Sequence, residues 1–149
     1  MRWALTCLLI VGVAGPQAEA VEPTGGYVTI QRAFLREDFD GVTSLAQQFL
    51  QQYPEAPEAP RVWLWMALSL NRLQRTSEAL DDLDHLKTRL APEDPLWAEV
   101  LFWEGEVSRM SFQMVRAKLA YQRLLERYAG SVWTSQAQMG LGLIALHQQ

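Results

Sequence analysis

Few side chains in this sequence have the types and spacing that chemistry requires, and one pair has the spacing of a partial metal site. Asp81 and His85 lie four residues apart, so both fall on one face of a predicted helix and could hold one edge of a metal ion. The other histidine is His147 and the one cysteine is Cys7, and neither joins this pair. We therefore interpret Asp81 and His85 as a weakly paired, solvated charged face and predict no metal site.

Carboxylates and glycines are the remaining candidates for catalysis or cofactor binding. Glu99, Glu104 and Glu106 fall on one predicted helix, but no neighbouring feature marks a general acid and base, so we interpret them as surface or groove charge. Gly140 and Gly142 lie in an apolar helix without a third glycine, which indicates close helix packing rather than a phosphate loop. The sequence also has no nucleophile elbow. We predict no catalytic residue, no cofactor and no enzymatic activity.

Composition limits the classes of fold and partner. The chain has 149 residues, of which 49 % are hydrophobic and 20 % are charged. This is enough apolar surface for a core and too little charge for a disordered tail, and the length allows one domain or one short array. The net charge of −4 offers no basic field to a phosphate backbone. Nucleic acid is therefore not an expected partner.

The first twenty residues have the pattern of an export signal. A positively charged start precedes an apolar run over 4–14, which is too short to span a bilayer, and Pro16 ends that run. An Ala-x-Ala ending at 18–20 supplies the small residues that a signal peptidase needs. The alternative is a buried first helix. We predict a cleaved signal peptide over 1–20, a short linker over 21–26, and an exported mature chain without a membrane-spanning segment.

The rest of the chain repeats at intervals of 37 or 38 residues. Three similar segments share a landmark position, occupied by Pro54, Pro92 and Ala129. Thirteen residues after each landmark comes a small residue on an apolar helix: Ala67, Gly105 and Gly142. Apolar residues recur at spacings of three and four throughout, and no segment alternates as a strand does. The pattern predicts units of similar build, repeated along the chain.

Each unit resolves into two predicted helices. In the clearest unit, small residues at Ala67 and Ala79 let the two helices approach closely, while Trp63 fills the seam beside them. Trp65 must then point towards the preceding unit or towards solvent. In the next unit, Glu104 stands where an apolar residue is usual. Helices are predicted near 27–36, 39–53, 58–73, 76–90, 95–110, 113–128 and 131–147.

These residues resemble the tetratricopeptide repeat family. The matching pattern is Trp63-x2-Met66-Ala67-x2-Leu70 followed by Ala79-x3-Leu83-x2-Leu86. The Phe49-Leu50-x2-Tyr53-Pro54 ending is similar to a bacterial envelope subtype that includes the lipoprotein of the barrel-assembly machine and the periplasmic coordinator of the Tol–Pal system. The resemblance implies an all-α fold, a right-handed superhelix or solenoid of stacked antiparallel helix pairs over 27–149. Its repeats would span about 27–57, 58–95 and 96–130, with a terminal helix over 131–147.

The resemblance also implies a binding groove, because the first helix of each repeat lines the concave side of such a solenoid. The expected groove residues are Tyr27, Gln31, Phe34, Arg61, Leu64, Leu68, Asn71, Arg72, Phe102, Glu106 and Arg109. Its arginines would hold carboxylates, and Asn71 would pair with a peptide backbone. The expected function is a non-enzymatic envelope scaffold that holds a partner protein or peptide. The alternative is that these polar side chains simply solvate the inner face.

The last predicted helix is apolar nearly all round, although a terminal helix of a repeat array should be polar on its outside. One side can cover the third unit, which leaves Met139, Leu143 and Leu146 to find another surface. We predict self-association as a homo-oligomer, or docking of a partner, through this helix. The alternative function is therefore an accessory subunit of a secretion, pilus or other surface machine that docks here.

Overall fold

A computed structural model describes residues 23–147, and all regular secondary structure in that range is helical. The helices are α1 Pro23–Leu35, α2 Phe39–Gln52, α3 Ala59–Arg72, α4 Thr76–Arg89, α5 Leu96–Met110, α6 Met114–Arg127 and α7 Thr134–His147. The predicted all-α class is confirmed. The predicted signal peptide over 1–20 lies outside the described residues. Within 23–147, no helix is both long and apolar enough to cross a membrane.

The helix bounds differ from the prediction mainly at the beginning of the first helix. The predicted linker extends to residue 26, but α1 begins at Pro23, so residues 23–26 form its first turn. Proline is well tolerated there because the first helical amides have no partner within the helix. Gly25 and Gly26 lower helix propensity, so the sequence did not predict that this turn is helical. Thr29 Oγ1 donates to the Gly25 carbonyl at 2.9 Å.

The turns α1–α2, α3–α4 and α5–α6 have the same backbone geometry. Each contains one residue with a positive φ: Glu37 (58°), Gln74 (62°) and Phe112 (61°). In each turn the next amide donates to a carbonyl five residues earlier: Asp38 to Ala33 at 3.0 Å, Arg75 to Leu70 at 2.9 Å, and Gln113 to Ser108 at 2.8 Å. This is the left-handed helix ending of the Schellman type. The turns recur at the 37- and 38-residue spacing of the sequence repeat.

The helices pack in consecutive pairs. Each helix packs on the next one along the chain, and α1 packs on α3, α3 on α5 and α5 on α7. Within residues 23–147, α1 does not pack on α5 or α7, so the helices do not surround one central axis. Buried apolar residues form one cluster from α1 to α5 and a second from α5 to α7, and Trp97 and Trp103 pack against both.

Small residues set the spacing of α5, α6 and α7. The Tyr121 ring lies between two glycines: a Cβ atom at Gly105 would be 2.3 Å from Tyr121 Cε1, and one at Gly140 would be 2.5 Å from Tyr121 Cζ. The prediction of close packing at Gly142 is wrong, since a Cβ there would meet no atom within 4 Å. Gly142 on α7 corresponds in the repeat to Gly105 on α5. Gly105 faces α6, the second helix of its pair. Within the described residues α7 has no such second helix.

The tryptophans of α3 face two neighbours. Trp63 packs against the core, and its ring lies 4.6 Å from that of His85 on α4. Trp65 stacks on Tyr27 at 5.1 Å and on Phe34 at 5.8 Å, both on α1. Of the two directions that the sequence left open for Trp65, the preceding pair is therefore the observed one.

Candidate functional site

A cavity of about 500 Å³ opens where the C-terminal ends of α1 and α3 meet α5 and the first turn of α2. It is lined by Phe34, Glu37, Phe39, Leu68, Asn71, Arg72, Gln74, Trp103 and Met110. Its floor is therefore apolar and largely aromatic, and polar groups stand at its edge. Four of the predicted groove residues line this cavity: Phe34, Leu68, Asn71 and Arg72.

Other predicted groove residues lie elsewhere. Leu64 and Phe102 belong to the buried core, so their assignment to the groove surface is wrong. Phe102 is covered by Trp133, whose ring stacks on it at 4.7 Å. Tyr27 is half-buried against Trp65. Gln31 is partly exposed on α1, outside the cavity.

Two of the three arginines expected to hold a partner's carboxylate already hold one from this chain. Arg61 Nη1 lies 2.7 Å from Glu99 Oε2, and Arg109 Nη2 lies 2.8 Å from Glu106 Oε2. Burial alone raises the pKa of Glu106, but hydrogen bonds from Arg109 and from the Tyr121 hydroxyl outweigh burial and lower that pKa. These ion pairs link α3 to α5 and stiffen α5. Arg61 and Arg109 are therefore not free for a ligand.

Arg72 is the arginine at this cavity. It forms no ion pair within residues 23–147, and its guanidinium carbon lies 5.8 Å from the centre of the Phe39 ring. A guanidinium over an aromatic face is held in place while its N–H groups stay available. Beside it, Asn71 Oδ1 accepts only a long hydrogen bond of 3.4 Å from Thr76 Oγ1. The cavity edge thus offers donors from two adjacent side chains.

Five cavity residues were missed in the sequence: Glu37, Phe39, Gln74, Trp103 and Met110. Met110 precedes the turn residue Phe112 by two positions, as Arg72 precedes Gln74. The repeat register would therefore have placed Met110 beside Arg72. Trp103 carries no such signal, because only the packing of α5 against α3 brings its ring to the cavity.

The interpretation of Glu104 as surface or groove charge is wrong, since this side chain is only 5 % exposed. Its carboxylate accepts from Lys87 Nζ at 2.7 Å and from Arg116 Nε at 3.0 Å. Asp84 contacts the same two cations, at 2.8 Å and 2.7 Å. The four charges balance and join α4, α5 and α6. Glu104 therefore connects neighbouring helix pairs, and the corresponding position of the preceding pair is the buried, apolar Met66.

The weak ion pair predicted between Asp81 and His85 does not form among the described residues. Asp81 is exposed, and His85 packs its ring on Trp63 instead. The neighbouring Asp82 has a raised pKa: burial, followed by the charges of Glu78 and Asp81, raises it to about 6. Asp82 Oδ2 is buried without a hydrogen-bond partner. Residues 23–147 assemble no group of three potential metal ligands.

Exposed apolar side chains are concentrated in the C-terminal third. On α7, Met139, Leu143 and Leu146 are exposed, as the sequence led us to expect. The outer face of α6 adds Val115 and Leu119, which the sequence analysis missed. The repeat register is the signal that could have found these two residues, because they stand thirty-eight positions after the exposed, polar Ser77 and Asp81.

In comparisons with known proteins, the chain matches no protein-family model, and no curated protein matches it. Function is therefore inferred from the residues themselves. Three features bear on it: the aromatic floor of the cavity, the free donors of Asn71 and Arg72 at its edge, and the exposed apolar face of α7.

Proposed function

We propose that the chain is a tetratricopeptide-like solenoid, a right-handed superhelix of stacked helix pairs, that acts as a non-enzymatic scaffold in the bacterial periplasm. Support for this architecture comes from the three identical turns and from the packing of α1, α3 and α5 on one another. Support for a non-enzymatic role comes from the carboxylates of α5. Glu99, Glu104 and Glu106 are all engaged by cationic side chains: the first two by cations of neighbouring helices, and Glu106 by Arg109 of the same helix.

The ligand that the cavity fits best is a segment of a partner protein. Its volume lies within the roughly 300–1,000 Å³ typical of ligand cavities, which leaves room for apolar side chains over Leu68 and Trp103. Arg72 would donate a charge-assisted hydrogen bond to an acidic group of the same segment. Asn71 would bond to its backbone. The observation that carries the proposal is Arg72, a cation without an ion pair among residues 23–147, beside an aromatic floor.

Selection from a displayed peptide library, followed by calorimetry with the selected peptides, tests this proposal. The selected sequences are expected to combine apolar residues with an acidic residue. Replacing both Asn71→Ala and Arg72→Ala should weaken binding by at least about tenfold, the effect of losing one good charge-assisted bond, without changing the thermal melting curve. The matched control is Arg123→Ala, which removes an exposed arginine of α6 that also lacks an ion pair among the described residues. Unchanged binding by the double variant would refute the groove assignment.

A second candidate function is an accessory subunit of a secretion, pilus or other surface machine. The exposed apolar face of α7 favours it, since such faces on a monomer mark contact sites. Pull-down from envelope extracts separates the two candidates. A scaffold should lose its partner when Arg72 is replaced, whereas an accessory subunit should lose it when Leu146→Glu is introduced.

A further inference from the structure

Helix α7 buries one side and leaves the other open. Ala137, Gly140 and Ile144 are buried against the preceding helices. On the open side, Met139 and Leu146 stand beside Gly142, where an added Cβ would meet nothing within 4 Å. The open side therefore presents the apolar side chains of Met139 and Leu146 next to a gap at Gly142, which we call the notch.

The notch has a counterpart in the preceding helix pair. Gly142 follows its landmark by thirteen residues, as Gly105 does on α5. On α5, this position receives the second helix of the pair, because the Tyr121 ring of α6 lies against Gly105. Helices joined by a three-residue turn run antiparallel. The open side of α7 therefore has the form that this fold uses to accept an antiparallel helix.

We propose that α7 of a second copy of this chain occupies that side, in a two-fold symmetric dimer. A two-fold axis through Gly142 and perpendicular to the helices makes the two α7 helices antiparallel, as α5 and α6 are. Each copy then places a helix where no described residue of the other packs on α7. Glycine at the crossing point lets the two backbones approach closely.

The charge pattern favours a second copy over a charged partner. In an isologous contact residue i of one copy meets residue j of the other, so a face that carries charges of one sign brings like charges together, whereas an uncharged face does not. Helix α7 has no Asp, Glu, Lys or Arg from Thr134 to Leu146. The exposed apolar pair on α6, Val115 and Leu119, shares its side of the helix with Lys118, Arg123 and Glu126, so a two-fold contact there would bury charged side chains. The exposed face of α7 is therefore better suited to self-association than that of α6.

Sedimentation velocity of the full chain from about 5 to 200 µM tests the dimer, because mass action shifts a weak dimer across such a range. We expect the dimer mass to dominate at the upper concentrations. Gly142→Trp should keep the monomer fold, since nothing lies near this position, and should weaken dimerisation by at least about tenfold. The matched control is Val132→Glu, which charges an exposed apolar residue before α7 and should leave the dimer intact.

A second pair of variants tests the two-fold geometry. With the axis at Gly142, Leu146 of one copy lies opposite Gln138 of the other. Leu146→Glu alone should weaken the dimer, and adding Gln138→Lys should restore it by pairing the new charges across the interface. The proposal is overturned if the wild type remains monomeric at the highest concentration, if Gly142→Trp dimerises like the wild type, or if Gln138→Lys restores nothing. None of these results would affect peptide binding at Arg72, so the two proposals fail separately.

Discussion

The Gly105→Ala substitution tests the packing register directly. In an open helix this change stabilises a protein by about 1 kcal/mol, because glycine has the higher conformational entropy when unfolded. Here the added Cβ would lie 2.3 Å from Tyr121 Cε1, whereas carbon atoms prefer separations of about 3.5–4.0 Å. The ring has little room to move away, because the backbone of α7 packs on its other side so closely that a Cβ at Gly140 would also clash with it, 2.5 Å from Tyr121 Cζ.

The expected net effect follows from these two opposing contributions. Overpacking a core costs about 1–3 kcal/mol. Because the Tyr121 ring has little room to move, we expect a cost at the upper end of that range for Gly105→Ala. Subtracting the gain in helix propensity leaves a destabilisation of about 2 kcal/mol. In a Tyr121→Leu background the clash disappears, because the second pair combines Ala67 with Leu83 at the same positions. There the alanine should stabilise by about 1 kcal/mol, a coupling of about 3 kcal/mol between the two sites.

Urea denaturation followed by circular dichroism measures these differences, with unchanged m-values as the check on comparable unfolding. The matched control is Gly142→Ala, studied at low concentration: the same atoms are added on α7 where nothing lies within 4 Å, so a gain of about 1 kcal/mol is expected. The reasoning is refuted if Gly105→Ala is as stable as Gly142→Ala. It is also refuted if the Gly105 and Tyr121 changes are additive.

Three further predictions concern single sites. Because burial and then its acidic neighbours raise the pKa of Asp82 to about 6, its carboxyl contributes stability below about pH 4 that is lost as the pH rises through 6. Asp82→Asn should therefore raise the unfolding free energy at pH 7 by about 1 kcal/mol, after discounting for partial exposure, and flatten the pH 4–6 stability profile; an unaltered profile would contradict this. Phe112→Gly should stabilise by about 1 kcal/mol in urea denaturation, since Phe112 has a φ of 61° and is 83 % exposed, whereas Phe112→Ala should not. Glu104→Ala should destabilise by about 2 kcal/mol, because it leaves Lys87 and Arg116 with Asp84 alone, and Glu104→Met should cost less; equal melting temperatures for the two variants would argue against this account.

The helices could be predicted from the sequence because their signals are local. Apolar spacing, the proline landmarks and the small residues fall within one helix or one turn, so each can be read without knowing the neighbours. The first turn of α1 was not predicted because Gly25 and Gly26 disfavour helix in the sequence, whereas the packing of Ile30 on the core stabilises α1 in the fold. The buried ion pairs of Glu104 were not predicted, for a different reason. Its partners, Lys87 and Arg116, come from two other helices, seventeen and twelve residues away.

The groove prediction failed where exposure depends on the neighbouring helix pair. Leu64, Phe102 and Met139 occupy the same register on α3, α5 and α7, yet they are 0 %, 8 % and 63 % exposed. Side-chain type does not account for the difference, since all three are large and apolar. The difference comes from the neighbouring helices. Helix α3 packs between α1 and α5, and Trp133 covers Phe102, whereas no later helix within the described residues packs on α7. The surface at Met139 is therefore a helix-packing face that no later helix within residues 23–147 covers.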